Sequence, residues 1–186
     1  MKLSFPKLLL LAALFPLSAA ASDLSYNHAE AGVALYPGSD NEQDFVGFDS
    51  RLSLELTPAV FVYGGLKFLT DEVDYTALHA GVGFRHRLET RTSIWGGVGL
   101  DYQELDFPNR AGTFDDTGLA LRGGLRHQVN EALELGGSAR VITGDLDYVG
   151  YAFTGRLALS RDLSLLGELD VFDGELGLIA GLSLSF

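Results

Sequence analysis

Alternation of apolar with polar or small residues recurs along this chain and restricts its fold more than any other feature. In GELGLIAGLSLSF, residues 174–186, every second position from Leu176 is apolar, and most positions between are Gly or Ser. This is the period of a β-strand with one apolar face. A helix is disfavoured because Gly is frequent inside such segments and destabilises a helix by about 1 kcal/mol relative to Ala. We therefore expect an all-β protein.

Ten alternating segments follow one another, and two kinds of connection take turns between them. One kind is tight, as at 57–59, and the other is longer and acidic, as at 37–44. Each segment is about as long as a tilted strand that crosses a bilayer. The pattern predicts an antiparallel up-and-down barrel of ten strands, with eight as the alternative because the last two are short. The expected strands are 24–36, 45–57, 60–69, 75–88, 92–103, 117–129, 132–143, 148–160, 163–171 and 175–186.

The first residues have the organisation of a secretory signal peptide. Lys2 and Lys7 form a basic region, an apolar run covers 8–15, and Ala19 and Ala21 suit cleavage before Ser22. A membrane anchor is the alternative, but this run is shorter than the ~20 residues that span a bilayer. We expect residues 1–21 to be removed and residues 22–186 to form one domain. The chain has no Cys, which excludes disulfides and thiolate chemistry.

The face that carries the charges decides between a soluble and a membrane barrel. A soluble lipocalin-like barrel has an apolar lumen, whereas a membrane barrel turns its apolar face outward. The polar face here also carries glycines such as Gly83 and Gly97, which suit a narrow, crowded lumen. Six Lys or Arg side chains near mid-strand would cost on the order of 12 to 24 kcal/mol on a lipid face. That exceeds the ~5 to 15 kcal/mol net stability of a typical domain, so the charges should face inward.

This register predicts a lumen in which opposite charges balance. Opposite charges in a confined, poorly hydrated space must pair, because an unpaired buried charge is costly. Two interpretations stay open: a salt-bridge network that closes the barrel, or a narrow path for ions or water. The expected lumen groups are the cations Arg51, Lys67, Arg85, Arg122, Arg126, Arg140 and Arg156 and the carboxylates Glu30, Glu55, Asp101, Glu134, Glu168, Asp170 and Glu175.

From residue 24 to 186 the chain resembles small outer-membrane β-barrels of the OmpA/OmpX-like class. It is also similar to a family of quorum-factor-like exported barrels, through LSYN at 24–27 and aromatic-Gly strands such as VFVYGGLKF at 60–68. The resemblance implies the outer membrane of a Gram-negative bacterium as the location. It also implies that the barrel assembly machinery recognises the last strand, which ends in Phe186.

The longer connections contain the acidic residues that account for the net charge of -12. These carboxylates form a solvated rim or bind divalent cations that bridge to lipopolysaccharide phosphates. DNEQD at 40–44 lacks the spacing of an EF-hand loop, so no metal site is assigned. The charge argues against nucleic acid as a partner. We expect a monomer that contacts outer-membrane lipid and lipopolysaccharide.

Catalytic patterns are weak, and no cofactor motif is present. The four histidines are scattered, and only His79, near Asp74 and Tyr75, is a candidate for an enzyme site at the rim. A His79 within the polar lumen is the simpler interpretation. Three functions remain, in this order: a structural or surface-interaction barrel, a narrow channel, and a membrane enzyme that hydrolyses lipid or peptide. We expect the protein not to be an enzyme.

Overall fold

The computed structural model describes residues 24–37, 44–107 and 112–186. These ranges form a closed barrel of antiparallel strands, which confirms the prediction of ten strands over eight. The expected signal peptide, 1–21, and its cleavage between Ala21 and Ser22 lie outside the described residues. The strands are His28–Tyr36 (β1), Phe45–Glu55 (β2), Val60–Thr70 (β3), Asp74–Glu89 (β4), Thr92–Asp106 (β5), Thr113–Gln128 (β6), Leu133–Ile142 (β7), Tyr148–Ala158 (β8), Leu163–Phe172 (β9) and Glu175–Ser185 (β10).

Each strand pairs with its neighbours in sequence, and the first strand closes the barrel by pairing with the last. In this closing seam His28 lies opposite Ser185 and Leu35 lies opposite Leu178. Closure pairs the backbone N–H and C=O groups that an open sheet would leave unpaired at its edges. Among the described residues, no helix is long and apolar enough to span a membrane.

The connections define two ends of the barrel. The terminal end holds the start of β1, the end of β10 and the connections 56–59, 90–91, 129–132 and 159–162. The loop end holds the connections 37–44, 71–73, 107–112, 143–147 and 173–174. The last of these is shorter than predicted, since Asp173 and Gly174 form a two-residue hairpin turn with φ of 49° and 88°. Positive φ at both positions is the geometry for which Asp-Gly is favoured.

Three strands differ by three or more residues from their predicted bounds. The hairpin of β5 and β6 extends further, because pairing continues to Asp106 opposite Thr113. Conversely, β1 begins at His28 instead of residue 24. The four residues before it, 24–27, are called here the entry segment. Asn27 stays bonded to the wall at Glu55 and Phe186, and the three residues before it enter the lumen.

The two faces of the wall differ as the alternation predicts. Large apolar side chains cover the outside, and Leu119 and Phe153 are 58% and 54% exposed there. Glycines leave space inside, since a Cβ atom at Gly83 would overlap the ring of Phe61 and one at Gly177 would overlap the ring of Tyr36. An apolar outer band around a polar interior is the arrangement of a transmembrane β-barrel.

Candidate functional site

The described part of the lumen contains seven cationic and seven acidic side chains that pair with one another. All seven predicted cations are among them, as are six of the seven predicted carboxylates. Glu175 is the exception, because it is exposed beside the β9–β10 turn. Asp49 on β2 takes its place, at 7% exposure. The lumen charges therefore balance, although one acidic member differs from the prediction.

Ten of these side chains form one connected set, called here the main network, with five charges of each sign. Its members are Glu30, Asp49, Arg51, Lys67, Arg126, Glu134, Arg140, Arg156, Glu168 and Asp170.

The main network runs along the barrel axis from the terminal end to the loop end. At the terminal end both Arg126 and Arg156 bind Glu134, with nitrogen to oxygen distances of 2.8 and 2.9 Å. Arg156 also binds Glu30 at 2.6 Å, and Arg51 follows, 3.9 Å from Glu30. Low accessibility makes each of these pairs stronger than a surface pair, and it makes any unpaired member costly.

Toward the loop end, bidentate contacts hold the main network. Two guanidinium nitrogens of Arg51 donate to Glu168 at 2.9 and 3.0 Å. Two nitrogens of Arg140 donate to Asp170 at 2.7 and 3.0 Å, and Lys67 binds the same carboxylate at 2.7 Å. Two parallel hydrogen bonds fix both the distance and the orientation of a guanidinium. These contacts thus hold the charged side chains of the lumen in defined positions.

Two further ion pairs lie apart from the main network. Arg85 binds Glu55 at 2.9 Å near the terminal end. Arg122 binds Asp101 at 2.5 Å through a single nitrogen. The Nε atom of Arg122 and the Oδ1 atom of Asp101 are buried and have no hydrogen-bond partner among the described residues. This second pair is therefore the least satisfied of the lumen pairs.

Aromatic rings fill the lumen at the loop end. Phe172 lies 5.1 Å from Tyr75, 4.7 Å from Tyr148 and 6.2 Å from Tyr36, measured between ring centroids. The hydroxyl of Tyr36 donates to Asp170 at 2.5 Å, which joins the rings to the main network. We call Tyr36, Tyr75, Tyr148 and Phe172 the aromatic cap.

The entry segment occupies the lumen at the terminal end. Tyr26 is 2% exposed. Its ring centroid lies 4.8 Å from that of Phe61, and the guanidinium groups of Arg85 and Arg126 lie over the ring at 5.0 and 4.6 Å from that centroid. Burial raises the pKa of the Tyr26 hydroxyl above its ordinary value, so this group stays protonated and can donate.

A cavity of about 160 Å³ lies inside the barrel between the entry segment and the aromatic cap. Four of its lining residues carry a buried polar atom that has no hydrogen-bond partner in the part of the chain that the structure describes: His28, Ser53, Tyr63 and Arg122. His79 also lines it, while Asp74 instead accepts a hydrogen bond from Thr70 at 2.5 Å. The structure thus does not pair His79 with Asp74. Within the described ranges, no group of three or more His, Asp or Glu residues is placed to hold a metal ion.

Sequence reasoning missed three participants in the lumen. Asp49 has the same parity as Arg51 along β2, so the alternation could have found it. Tyr36 has the inward parity of β1, and its link to Asp170 depends on a contact across the barrel. Tyr26 was assigned to a strand, and no local pattern marks its turn into the lumen. Phe186 is 60% exposed on the outer side, and its backbone N–H donates to the carbonyl of Asn27 at 3.2 Å.

Several solved structures are similar to this barrel. The attachment invasion locus protein Ail of Yersinia pestis matches with 14% identity and a TM-score of 0.47, over 87% of this chain and 100% of that one. The KdgM porin matches with 11% identity and a TM-score of 0.49, over 86% and 99%. The N-terminal β-barrel domain of OprF from Pseudomonas aeruginosa matches with 16% identity and a TM-score of 0.44, over 86% and 98%. A comparison with curated proteins gives no match.

A protein-family model covers most of the chain. It is described as an outer membrane protein beta-barrel domain and matches residues 8–168, which extends from before the entry segment into β9. The matched range contains the first eight strands, all seven lumen cations and most of the apolar outer face. The chain belongs to the outer membrane protein β-barrel domain family.

Proposed function

We propose that this outer-membrane protein of a Gram-negative bacterium is a structural or surface-interaction barrel with a lumen that conducts little. The observation that carries the proposal is the balanced main network, which occupies the lumen along its axis. A ten-stranded barrel lies much nearer to the filled eight-stranded barrels than to the open 16-stranded porins. The space left between charged side chains is therefore too small for large solutes, and no reaction is assigned.

Conductance in planar bilayers tests this proposal. The wild-type protein should give no steady ion steps at a protein density at which a trimeric porin gives many. Arg140→Ala removes a bidentate partner of Asp170 and should admit water and ions, so small steps are expected there. Arg161→Ala changes an exposed turn residue and should stay as silent as the wild type. Steady steps in the wild type would contradict a closed lumen.

A narrow path for water or small ions is the second candidate, and the lumen cavity favours it. The cavity has polar atoms on its wall without protein partners, and such atoms are usually satisfied by water. Swelling of protein-containing vesicles in an osmotic gradient distinguishes the two functions. Water flow above that of empty vesicles, without ion steps, would favour this path over a fully closed barrel.

The proposed partners follow from the charge of the loop end. We propose that this end faces the cell exterior, where its carboxylates lie at the level of lipopolysaccharide phosphates. Divalent cations bind carboxylate and phosphate oxygens and would bridge the two. Removal of divalent cations with a chelator should then lower the thermal midpoint of the barrel in lipopolysaccharide vesicles more than in neutral phospholipid vesicles. An equal change in both would count against bridging.

A further inference from the structure

The entry segment crosses the barrel mouth from one wall to the opposite wall. β1 pairs with β10 and β2, yet the residues before it contact strands on the far side. The carbonyl of Leu24 accepts from Arg85 on β4 at 2.7 Å, and the carbonyl of Ser25 accepts from Arg126 on β6 at 2.8 Å. The hydroxyl of Tyr26 bonds to Ser93 on β5 at 3.0 Å. Leu24, Ser25 and Tyr26 therefore lie across the mouth.

Few backbone hydrogen bonds hold the entry segment in place. Among the described residues, the hydrogen bonds of Leu24, Ser25 and Tyr26 to the wall all involve a side chain, including the one from the Tyr26 N–H to Glu55 at 2.6 Å. Asn27 is fixed differently, because its side chain accepts from the Glu55 N–H and its carbonyl accepts from the Phe186 N–H. The segment can thus swing about Asn27 and leave the strand ladder intact, a local opening of the kind that costs less than unfolding.

Removal of the entry segment would leave its ionic partners paired. Arg85 keeps Glu55, and Arg126 keeps the bidentate contact with Glu134. The carboxylate of Glu55 loses only the bond from Tyr26. Opening therefore creates no unpaired buried charge. Such a charge would otherwise make the separation of these groups costly.

The cavity lies next to Tyr26, further into the lumen from the terminal end, and Tyr26 forms part of its wall. At about 160 Å³ it exceeds the volume of roughly 10 to 15 Å³ that one water needs. Its unpartnered polar atoms give such waters hydrogen-bond partners. On the other side, the aromatic cap and the contacts of Asp170 fill the lumen.

We propose that the entry segment is a removable plug of a water-filled chamber. Its release connects the cavity to the water at the terminal end, while the aromatic cap keeps the loop end shut. The chamber then takes up small hydrophilic molecules and ions from one side only. This inference is independent of the proposed closed lumen, since a chamber that opens on one side does not conduct.

A single cysteine tests the plug, because the chain has no cysteine of its own. Ser53 lines the cavity and is 5% exposed, so Ser53→Cys reports whether solvent reaches the chamber. The probe is a small charged methanethiosulfonate reagent, added to the folded barrel in detergent micelles. Modification should be slow in the otherwise wild-type chain and about tenfold or more faster when Tyr26→Ala is added, because the plugged population falls.

Matched variants separate plug release from general loosening. Tyr151→Ala removes the same side chain from the lipid-facing side and should not speed the modification of Ser53→Cys. Ser160→Cys in an exposed turn should react equally fast with and without Tyr26→Ala. Loosening the segment by Leu24→Gly with Ser25→Gly should give the same acceleration as Tyr26→Ala.

Three results would overturn the plug. The first is an unchanged rate at Ser53→Cys in either loosened variant that migrates on gels as a folded barrel. The second is modification of Ser53→Cys, without any loosening substitution, at a rate as fast as that of Ser160→Cys. The third is failure of both loosened variants to fold, which would make the entry segment part of the folding core and not removable.

Discussion

Removal of Arg122 and removal of Arg140 leave their carboxylate partners in different situations. Asp170 contacts Lys67 as well as Arg140, so it keeps a cation when Arg140 is removed. Among the described residues, the Asp101 carboxylate forms an ion pair with Arg122 alone, and one of its oxygens lacks a hydrogen-bond partner. Loss of Arg122 therefore isolates a carboxylate that is 1% exposed.

We predict that Arg122→Ala lowers the free energy of unfolding more than Arg140→Ala. Loss of one member of a fully buried pair costs ~3 to 5 kcal/mol, and less where water enters. Urea titration of both variants in lipid vesicles, followed by Trp fluorescence, measures the difference. Arg122→Ala with Asp101→Asn should recover part of the loss, because no unpaired charge remains. Variants as stable as the wild type would show that these side chains are hydrated and not paired.

Glycine inside the barrel provides a second prediction at this scale. Gly177→Ala should lower the unfolding midpoint, because its methyl group would overlap the Tyr36 ring, which bonds to Asp170. Gly167→Ala is the matched control on the neighbouring strand, since no atom lies within 4 Å of a Cβ there. Thermal unfolding on gels compares the two. Equal midpoints would mean that Tyr36 can move aside at little cost.

The sequence predicted which residues face inward but not which of them meet. Odd or even position along a strand predicts which face of the sheet a side chain lies on. This rule predicts the inward position of the lumen cations, and it also applies to Asp49. Glu175 has inward parity, yet it follows directly on a turn and is exposed there. Pairs such as Arg156 with Glu30 join residues 126 positions apart. Such pairs depend on the stagger of the closed barrel, which no local pattern contains.

At the scale of the element, β1 shows where alternation stops being informative. Residues 24–27 alternate as a strand would, and they were predicted as part of it. Their path is instead decided by Arg85 and Arg126 on distant strands, which bind the carbonyls of Leu24 and Ser25. The other strands begin and end within a few residues of their predicted bounds, because each pairs with its sequence neighbours and is terminated by local turn residues.

The last strand carries a prediction about assembly. If the barrel assembly machinery recognises Phe186 at the end of β10, deletion of Phe186 should leave the chain exported but poorly inserted. An unpaired strand edge cannot persist in lipid, so slow closure of the β1–β10 seam exposes the chain to degradation. The measurement is the fraction with heat-modifiable gel migration in membranes. Phe153→Ala, at another lipid-facing Phe, is the control and should insert normally.

For the whole molecule, the even number of strands predicts the location of every connection. A protease-cleavable tag inserted at 109–112, between β5 and β6, should be cut in intact cells. The same tag at residue 130, between β6 and β7, should be cut only after the outer membrane is made permeable. The reverse pattern would mean that the terminal end faces outward and would overturn the proposed orientation.

The acidic loop end makes the barrel an electric dipole along its axis. The described residues of this end include twelve carboxylates and no Lys or Arg: Asp44, Asp71, Glu72, Asp74, Glu104, Asp106, Asp115, Asp116, Asp145, Asp147, Asp173 and Glu175. The described residues of the terminal end include three charged side chains of each sign: Arg87, Arg91, Arg161, Glu89, Glu131 and Asp162.

This dipole gives membrane insertion a preferred direction. A charged side chain costs about 2.5 to 3.5 kcal/mol at the centre of a bilayer, so the terminal end, with six described charged side chains against twelve at the loop end, crosses more readily. A barrel that inserts unaided into a vesicle should therefore leave its loop end outside. In the proposed cellular orientation the loop end must cross from the periplasm, against this preference. The same carboxylates that keep the mature surface hydrated thus become the barrier that a dedicated insertion machinery would have to overcome.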